Sequence, residues 1–372
     1  MIYLDNAATS FPKPKSVIDK INFCFEKCSG NPGRSSHALS LAAAEELYCT
    51  REIIATHFNF SYPENVIFTY NATYAINLSL YGLLKEGDHV LISDMEHNAV
   101  IRPLEKMRQK MGIEYSRFST HDNVSTSIAS GLRKNTRAIV STIASNVTGK
   151  RIGLDVLSKA AKEAGLLLIV DASQAAGHEM IDLTKTPCDC ICAPAHKGLF
   201  GIQGAGFAIF SPEIELEPLI VGGSGTNSKE LSMPSFLPER MEAGTPSTPA
   251  ISALGEGIKF VDKIGVKKIA LKESDLANVA KSILKENKKI KVYDSYGGIV
   301  LFNLLNAPES SVCRILDQHN ICVRGGLHCA PEAHIRIGTE GIGAVRASFS
   351  CFNTLEETTE FAKTVCKIAA EI

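Results

Sequence analysis

Along the first 210 residues, short uninterrupted apolar runs alternate with longer stretches in which apolar positions return every three or four residues. The first pattern reads as buried strand, the second as amphipathic helix. Strands are expected at 66–68, 89–93, 113–118, 138–142, 166–170, 189–192 and 205–210, with helices at 39–57, 73–84, 100–111 and 154–164 between them. Such alternation predicts an α/β fold around a mainly parallel, seven-stranded sheet. A Gly/Pro/Ser-rich stretch, 221–249, then breaks the rhythm, and one long helical region follows at 251–286.

After that helix the order changes to strand 291–293, strand 298–304, helix 311–319 and strand 322–323, closed by a strand at 344–348 and a helix at 355–370. This reads as a smaller α+β unit. The expected organisation is an N-terminal segment, 1–15, that packs with the small domain, a large domain, 16–262, and a small C-terminal domain, 263–372.

Composition narrows the function. Over 372 residues, 39 basic side chains face 40 acidic ones, for a formal net charge of -1, and 45% of residues are hydrophobic. Long disorder is excluded, and so is the basic footprint of a nucleic-acid binder. No signal-peptide pattern opens the chain and no apolar run approaches the roughly 20 residues that span a bilayer, so no membrane partner is expected. Eleven cysteines, an odd number scattered over a long chain, suit reduced thiols in a cytoplasm.

Polar residues where strands hand over to loops carry the candidate chemistry, because open α/β sheets bind ligands at the carboxyl ends of their strands. Asn71-Ala72-Thr73 opens a helix and could hold a phosphate, or could simply cap that helix. Asp171 ends a buried strand and needs a cation, a metal or a protonated ring nitrogen; Gln174 follows three residues on. Lys197, in Ala195-His196-Lys197-Gly198, precedes a glycine-rich turn, the setting of a partly desolvated, Schiff-base-forming amine. His97 adds an imidazole at the same edge. Cys188, Cys190 and Cys192 with His196 could suggest a metal. However, alternate strand residues repeat at roughly 6.6 Å, whereas two thiolates on one zinc sit about 3.8 Å apart. These cysteines, like Cys24 and Cys28, are expected to be core residues.

Together a phosphate site, a carboxylate, a stacking imidazole and a Schiff-base lysine describe pyridoxal 5'-phosphate binding. From Tyr3-Leu4-Asp5-Asn6-Ala7-Ala8 to the last helix, the chain resembles the class V aminotransferase family of fold-type I pyridoxal-phosphate enzymes, within it the cysteine desulfurases and selenocysteine lyases. The resemblance implies that His97 stacks on the cofactor ring, Asp171 pairs with its nitrogen and Gln174 touches its phenolic oxygen. It also implies that Lys197 carries the cofactor, that Thr73 and His196 hold the phosphate beside Ala72, and that Asn146 lies near the cofactor oxygen and substrate carboxylate. Glu242-Ala243-Gly244-Thr245-Pro246 matches a motif whose threonine reaches a partner subunit's phosphate, which implies a homodimer.

Arg324-Gly325-Gly326-Leu327-His328-Cys329-Ala330-Pro331 resembles the family's catalytic cysteine loop. Arg324 and His328 stand close enough in sequence to lower the thiol pKa. Arg346 matches the arginine that clamps the substrate carboxylate. Two departures stand out: Pro194 replaces a phosphate-binding hydroxyl, and the segment 332–343, with His334 and Arg336, has no family counterpart. The expected activity is conversion of L-cysteine to L-alanine with a persulfide on Cys329, passed on to an acceptor protein. The alternatives are selenium release from L-selenocysteine and a non-catalytic scaffold of the same fold.

Overall fold

A computed structural model describes residues 1–33, 35–226 and 229–372. Its strands are β1 (Ile2–Tyr3), β2 (Val66–Thr69), β3 (His89–Ser93), β4 (Glu114–Phe118), β5 (Thr136–Thr142), β6 (Leu167–Asp171), β7 (Cys190–Pro194), β8 (Gly206–Phe210), β9 (Ile290–Tyr293), β10 (Ile299–Leu304), β11 (Ile321–Cys322) and β12 (Val345–Ser348). A seven-stranded sheet has the order β2-β8-β7-β6-β5-β3-β4, and a three-stranded antiparallel sheet the order β12-β10-β9.

In the large sheet only β8 runs against its neighbours. The reason is connection length. Parallel neighbours need a crossover of a dozen or more residues, usually a helix; the links from β2 to β3, β3 to β4, β4 to β5 and β5 to β6 each contain a helix and that from β6 to β7 runs through residues 172–189, whereas residues 195–205 join β7 to β8 directly. The consequence is positional: the carboxyl ends of β2, β3, β5, β6 and β7 and the amino end of β8 share one edge. The register aligns Thr69 with Gly206, Gly206 with Pro194, and Thr142 with Asp171 along that edge.

The expected helix over 251–286 is two helices, Thr248–Ile264 and Val266–Lys285. The first buries Ile251, Leu254 and Ile258 in the large-sheet core; the second buries Leu276, Ala280 and Leu284 against the small sheet. Apolar periodicity continues through both, which hides the break. It falls at Gly265, whose φ of 95° a side chain resists. Helices Lys15–Lys27, Val124–Gly131 and Pro331–Arg336 and the short parallel pair β1–β11 are further elements that the pattern does not reveal. Leu4 completes the small-sheet core, so the first residues of the chain pack beside the last strand. No helix among the described residues is long and apolar enough to cross a membrane.

Replacing Gly265 by Ala is expected to cost roughly 1–2 kcal/mol of stability, read as a lowered denaturation midpoint; an unchanged midpoint would show that the break is not conformationally enforced.

Candidate active site

The shared sheet edge opens into a cavity of about 230 Å³ lined by Ala72, Thr73, His97, Asn146, Asp171, Gln174, Pro194, His196, Lys197, Arg324, His328 and Arg346. These residues are scattered along most of the chain, and the sheet edge gathers those of the large sheet while β12 and its neighbouring loop bring in the rest. Asn71 both caps the helix Ala72–Leu83, accepting from Tyr74 N at 2.9 Å, and lines the cavity. The amides of Ala72 and Thr73, in the first turn, have no carbonyl to bond within the helix and carry its positive end. Gly206 lets this loop sit down on the sheet: a Cβ there would lie 2.8 Å from the Asn71 carbonyl carbon. The capping and anion-binding readings of Asn71-Ala72-Thr73 are therefore compatible.

Asp171, 5% exposed, ends β6 and accepts from Ser173 N at 2.8 Å. It forms no ion pair with a described residue. Lys197 faces the cavity, likewise without an ion pair or hydrogen bond to a described residue. Burial lowers its amine to about 8, partly offset by the Asp171 charge, with Arg346 and Arg324 pushing the same way as burial. His196 is pushed down to about 4, by burial first and then by Lys197 and Lys13, and its Nδ1 is buried with no partner. A second cavity of about 60 Å³ shares Lys197 and Gln174 and contains the ion pair between His178 Nε2 and Glu273 Oε2, 3.2 Å apart.

His97 caps the helix Asn98–Met111, its Nδ1 accepting from Ala99 N at 3.0 Å. That bond leaves the ring proton on Nε2. Burial lowers its pKa, against the pull of Asp171. Its neighbour Glu96, which sequence reasoning passed over, is fully buried. Its Oε1 accepts from Ser93 Oγ and from Thr142 N, the latter at 2.8 Å. Burial raises it to about 8, so at neutral pH it is mostly uncharged.

Arg346, 1% exposed, donates from Nη1 to the Asn146 carbonyl at 2.7 Å and from Nη2 to Asp5 Oδ1 at 2.9 Å, while its Nε is buried without a partner. Asp5 is a second residue to which the sequence alone assigned no role. Asn146 in turn donates to the His328 carbonyl at 2.6 Å, and Gln174 to the Ala7 carbonyl at 2.9 Å. Cys329 is exposed, with Arg324 Nη2 3.6 Å from its sulfur. Arg324, itself a lining residue, joins the thiol to the cavity.

Three expectations need revision or placement. His328 does not join Arg324 in charging the thiol environment: its Nε2 bonds the Arg324 carbonyl and its Nδ1 bonds His334, both at 3.1 Å, and burial drives it down to about 3, so it is neutral. Cys190 and Cys192 are core residues, yet their sulfurs are 3.6 Å apart, because both lean toward Ser79 Oγ, 2.9 and 3.4 Å away. The backbone repeat is thus no bar to their meeting. Thr245 stands apart from the cavity, lining a different one with Tyr70 and Tyr74, where Asn31 Nδ2 donates to its hydroxyl at 3.3 Å.

The amine's pKa carries a signed consequence. At pH 7 Lys197 is charged in the folded and unfolded chain alike, so its burial penalty is fully present; as pH rises past about 8 the folded protein releases the proton first, and the penalty is gone above the ordinary 10.5. Lys197→Met is expected to stabilise the cofactor-free protein at pH 7 by roughly 1–3 kcal/mol after allowing for water in the cavity. The gain should close by pH 10.5, and thermal unfolding across that range checks it.

Comparison with known proteins agrees with this geometry. The family model "Aminotransferase class-V" matches residues 2–361. A probable cysteine desulfurase of Pyrococcus abyssi is 32% identical, the match covering 97% of this chain and 92% of that one. A cysteine desulfurase of Yersinia pestis is 31% identical over 96% and 90% of the two chains. The structure of a cysteine desulfurase from Thermococcus onnurineus superimposes with a TM-score of 0.91 at 29% identity, over 100% of this chain and 95% of that one. A family-model match that runs from β1 into the last helix has one reading: the chain is a member of the class-V aminotransferase family.

Proposed function

We propose that this protein is a pyridoxal-phosphate-dependent cysteine desulfurase that converts L-cysteine to L-alanine and leaves the sulfur on Cys329. The observation that carries the reading is the cavity shared by Lys197, Asp171, His97 and Arg346, with the Cys329 thiol one contact beyond its wall. The names of the relatives point the same way.

The cavity fits the cofactor on its own terms. Its buried carboxylate lacks a cation, its buried amine lacks an anion, and a buried imidazole nitrogen lacks any partner. A protonated ring nitrogen would pair with the carboxylate, phosphate oxygens would bond the imidazole, and a carbonyl carbon would be open to the amine's lone pair once its proton is lost. In this reading Asp171 takes the ring nitrogen, His97 stacks on the ring, Gln174 and Asn146 approach the ring oxygen, and the Ala72 and Thr73 amides, the Thr73 hydroxyl and His196 hold the phosphate. Pro194 adds no hydroxyl there. Pyridoxal phosphate, when bound, supplies an electron sink for the substrate's Cα.

The chain's own groups do the rest. Arg346 binds the substrate carboxylate, with Arg324 contributing positive charge nearby. Lys197, with an amine pKa of about 8, is partly neutral at physiological pH and takes the proton from Cα. Cys329, as thiolate, attacks the substrate sulfur. An S–S bond forms and the substrate Cβ–S bond breaks with its electron pair passing toward carbon; Cβ takes a proton, in net terms the one shed by the Cys329 thiol, and Lys197 returns to Cα the proton it took, which completes alanine. The residue left behind is a Cys329 persulfide, so no external oxidant enters.

Residues 16–262 and 263–372 act as large and small domains in this scheme. Thr245, lying apart from its own chain's cavity, serves the phosphate site of a partner in a homodimer, and an acceptor protein takes the sulfur. The cysteines, all free, suit a reducing cytoplasm. Alanine formation from L-cysteine by the pyridoxal-phosphate-loaded protein tests the proposal. Lys197→Ala and Cys329→Ala are each expected to lose at least about a hundredfold in rate, with a mass increase of one sulfur on Cys329 in the wild type. Unimpaired turnover in Cys329→Ala would overturn the nucleophile.

A further inference from the structure

The segment 332–343 packs against the cysteine loop on one side and the large sheet on the other. Helix Pro331–Arg336 follows Cys329 at once. On its outer side Glu332 pairs with Arg117 at 2.6 Å, and Arg336 Nε pairs with Asp94 at 2.8 Å. Asp94 is buried, and Thr120 Oγ1 donates to it at 2.7 Å. Both partners lie on or beside the strands β3 and β4. On its inner side His334 is buried and stacks on His328, ring centroids 5.3 Å apart and planes within 12°.

The hydrogen bonds here run in one direction only. The Arg324 carbonyl can only accept, so His328 Nε2 carries the proton. Its Nδ1 is then an acceptor, and His334 Nε2 must donate to it. That leaves His334 Nδ1 as acceptor, filled by the hydroxyl of Thr339, itself buried, at 2.7 Å. The chain Thr339 → His334 → His328 → Arg324 is complete with both rings neutral; a proton added to His328 would set two donors face to face, and one added to His334 would require the Thr339 hydroxyl to turn and accept.

The end of this chain is the catalytic loop. His328 and Cys329 are successive non-glycine residues with positive φ, 50° and 58°, a conformation that costs on the order of 1–3 kcal/mol per residue and persists only when its surroundings impose it. The Asn98 amide holds the Cys329 carbonyl at 2.8 Å and Asn146 holds that of His328 at 2.6 Å. His328's ring supplies a third tie, to the residue whose guanidinium reaches the Cys329 sulfur.

We infer that His334 and Thr339 are positioning residues: the Arg324 carbonyl sets the His328 tautomer, and His334, oriented by Thr339, donates to His328 Nδ1, so that His328 clamps the Arg324 main chain and sets both Arg324 and Cys329 in place. The inference rests on the desulfurase reading for its catalytic meaning but not for its structural content. The segment 332–343 thereby acquires a role, since helix Pro331–Arg336, anchored outside by two ion pairs, braces the loop from inside through one imidazole.

Two measurements test it. In the cofactor-free protein labelled with ¹⁵N-histidine, long-range ¹H–¹⁵N correlation at pH 7 is expected to show His328 and His334 both neutral and protonated on Nε2. Thr339→Val removes the hydroxyl that meets His334 Nδ1 and should shift that nitrogen's ¹⁵N resonance while His334 stays protonated on Nε2. A charged His328, or one protonated on Nδ1, overturns the relay whatever the activity. In the loaded enzyme, His334→Phe keeps the ring volume but has no donor, and kcat for L-cysteine should fall ten- to a hundredfold with KM nearly unchanged. His334→Gln, which restores a donor, should recover most of it. Should His334→Phe fail to fold, the milder Thr339→Val carries the same kinetic test, with a smaller fall in kcat expected. Unaltered kcat in a folded His334→Phe or in Thr339→Val overturns the positioning role. A wild type that makes no alanine from L-cysteine removes the desulfurase reading while leaving the tautomer result to stand or fall alone.

Discussion

Everything in this site depends on keeping a buried ammonium and a buried carboxylate on one sheet edge without letting them neutralise each other. Lys197 and Asp171 end neighbouring connections, after β7 and at the end of β6, and the Asp171 charge only partly offsets the burial that lowers the amine's pKa. A direct ion pair would satisfy both and leave nothing for a ligand. Separation leaves each group with unfilled capacity, at a cost in stability that the extensive large-sheet core absorbs. The short β7–β8 connection is what makes this possible. By turning back without a helix it sets Lys197 over the edge and brings Gly206 beneath Asn71, so amine and anion site are built by one turn.

Neutral buried acids and bases protect that arrangement. Glu96 lies beside His97 and near Asp171, and as an uncharged acid it binds the Thr142 amide without competing for a cation. His196 and His328 are held neutral next to Lys197 and the arginines, since a further positive charge in the cavity wall would depress Lys197 again. The neutral Glu96, His196 and His328 thereby add no charge to a wall that already carries Lys197, Arg324 and the ion-paired Arg346.

Much of this was legible in the sequence because strand ends announce themselves. Asp171, Lys197, His97 and Asn71-Ala72-Thr73 each follow an apolar run, and period and position suffice to put them on one edge. The seven strands came out within a few residues for the same reason. What stayed hidden was whatever depends on a partner far along the chain. Nothing local says that Gly265 breaks a helix whose periodicity is continuous, that Asp5 will meet Arg346, or that His328 points its ring at His334 and not at the thiol. The sulfur separation of Cys190 and Cys192 failed for a related reason: backbone spacing fixes Cα positions, while two side-chain rotations and one serine bring the sulfurs together.

The Asp5–Arg346 contact shows why the two ends of the chain meet at the cavity. Arg346 lies on β12, almost without solvent, and a guanidinium so buried must have its donors met or suffer the full desolvation cost. Asn146, from the loop after β5, takes one donor group; Asp5, from the segment after β1, takes another. β1 is held there by pairing with β11, and Asn6 donates to the Ser348 carbonyl at 2.9 Å. The large sheet, the small sheet and the N-terminal segment thus converge on one side chain, and only Nε is left without a partner. A guanidinium already oriented on two sides has little side-chain entropy left to lose to a ligand. The same ties keep Arg324 opposite Arg346 through their paired main chains, at 2.8 and 3.1 Å, and so hold the start of the loop that carries Cys329 in register with Arg346.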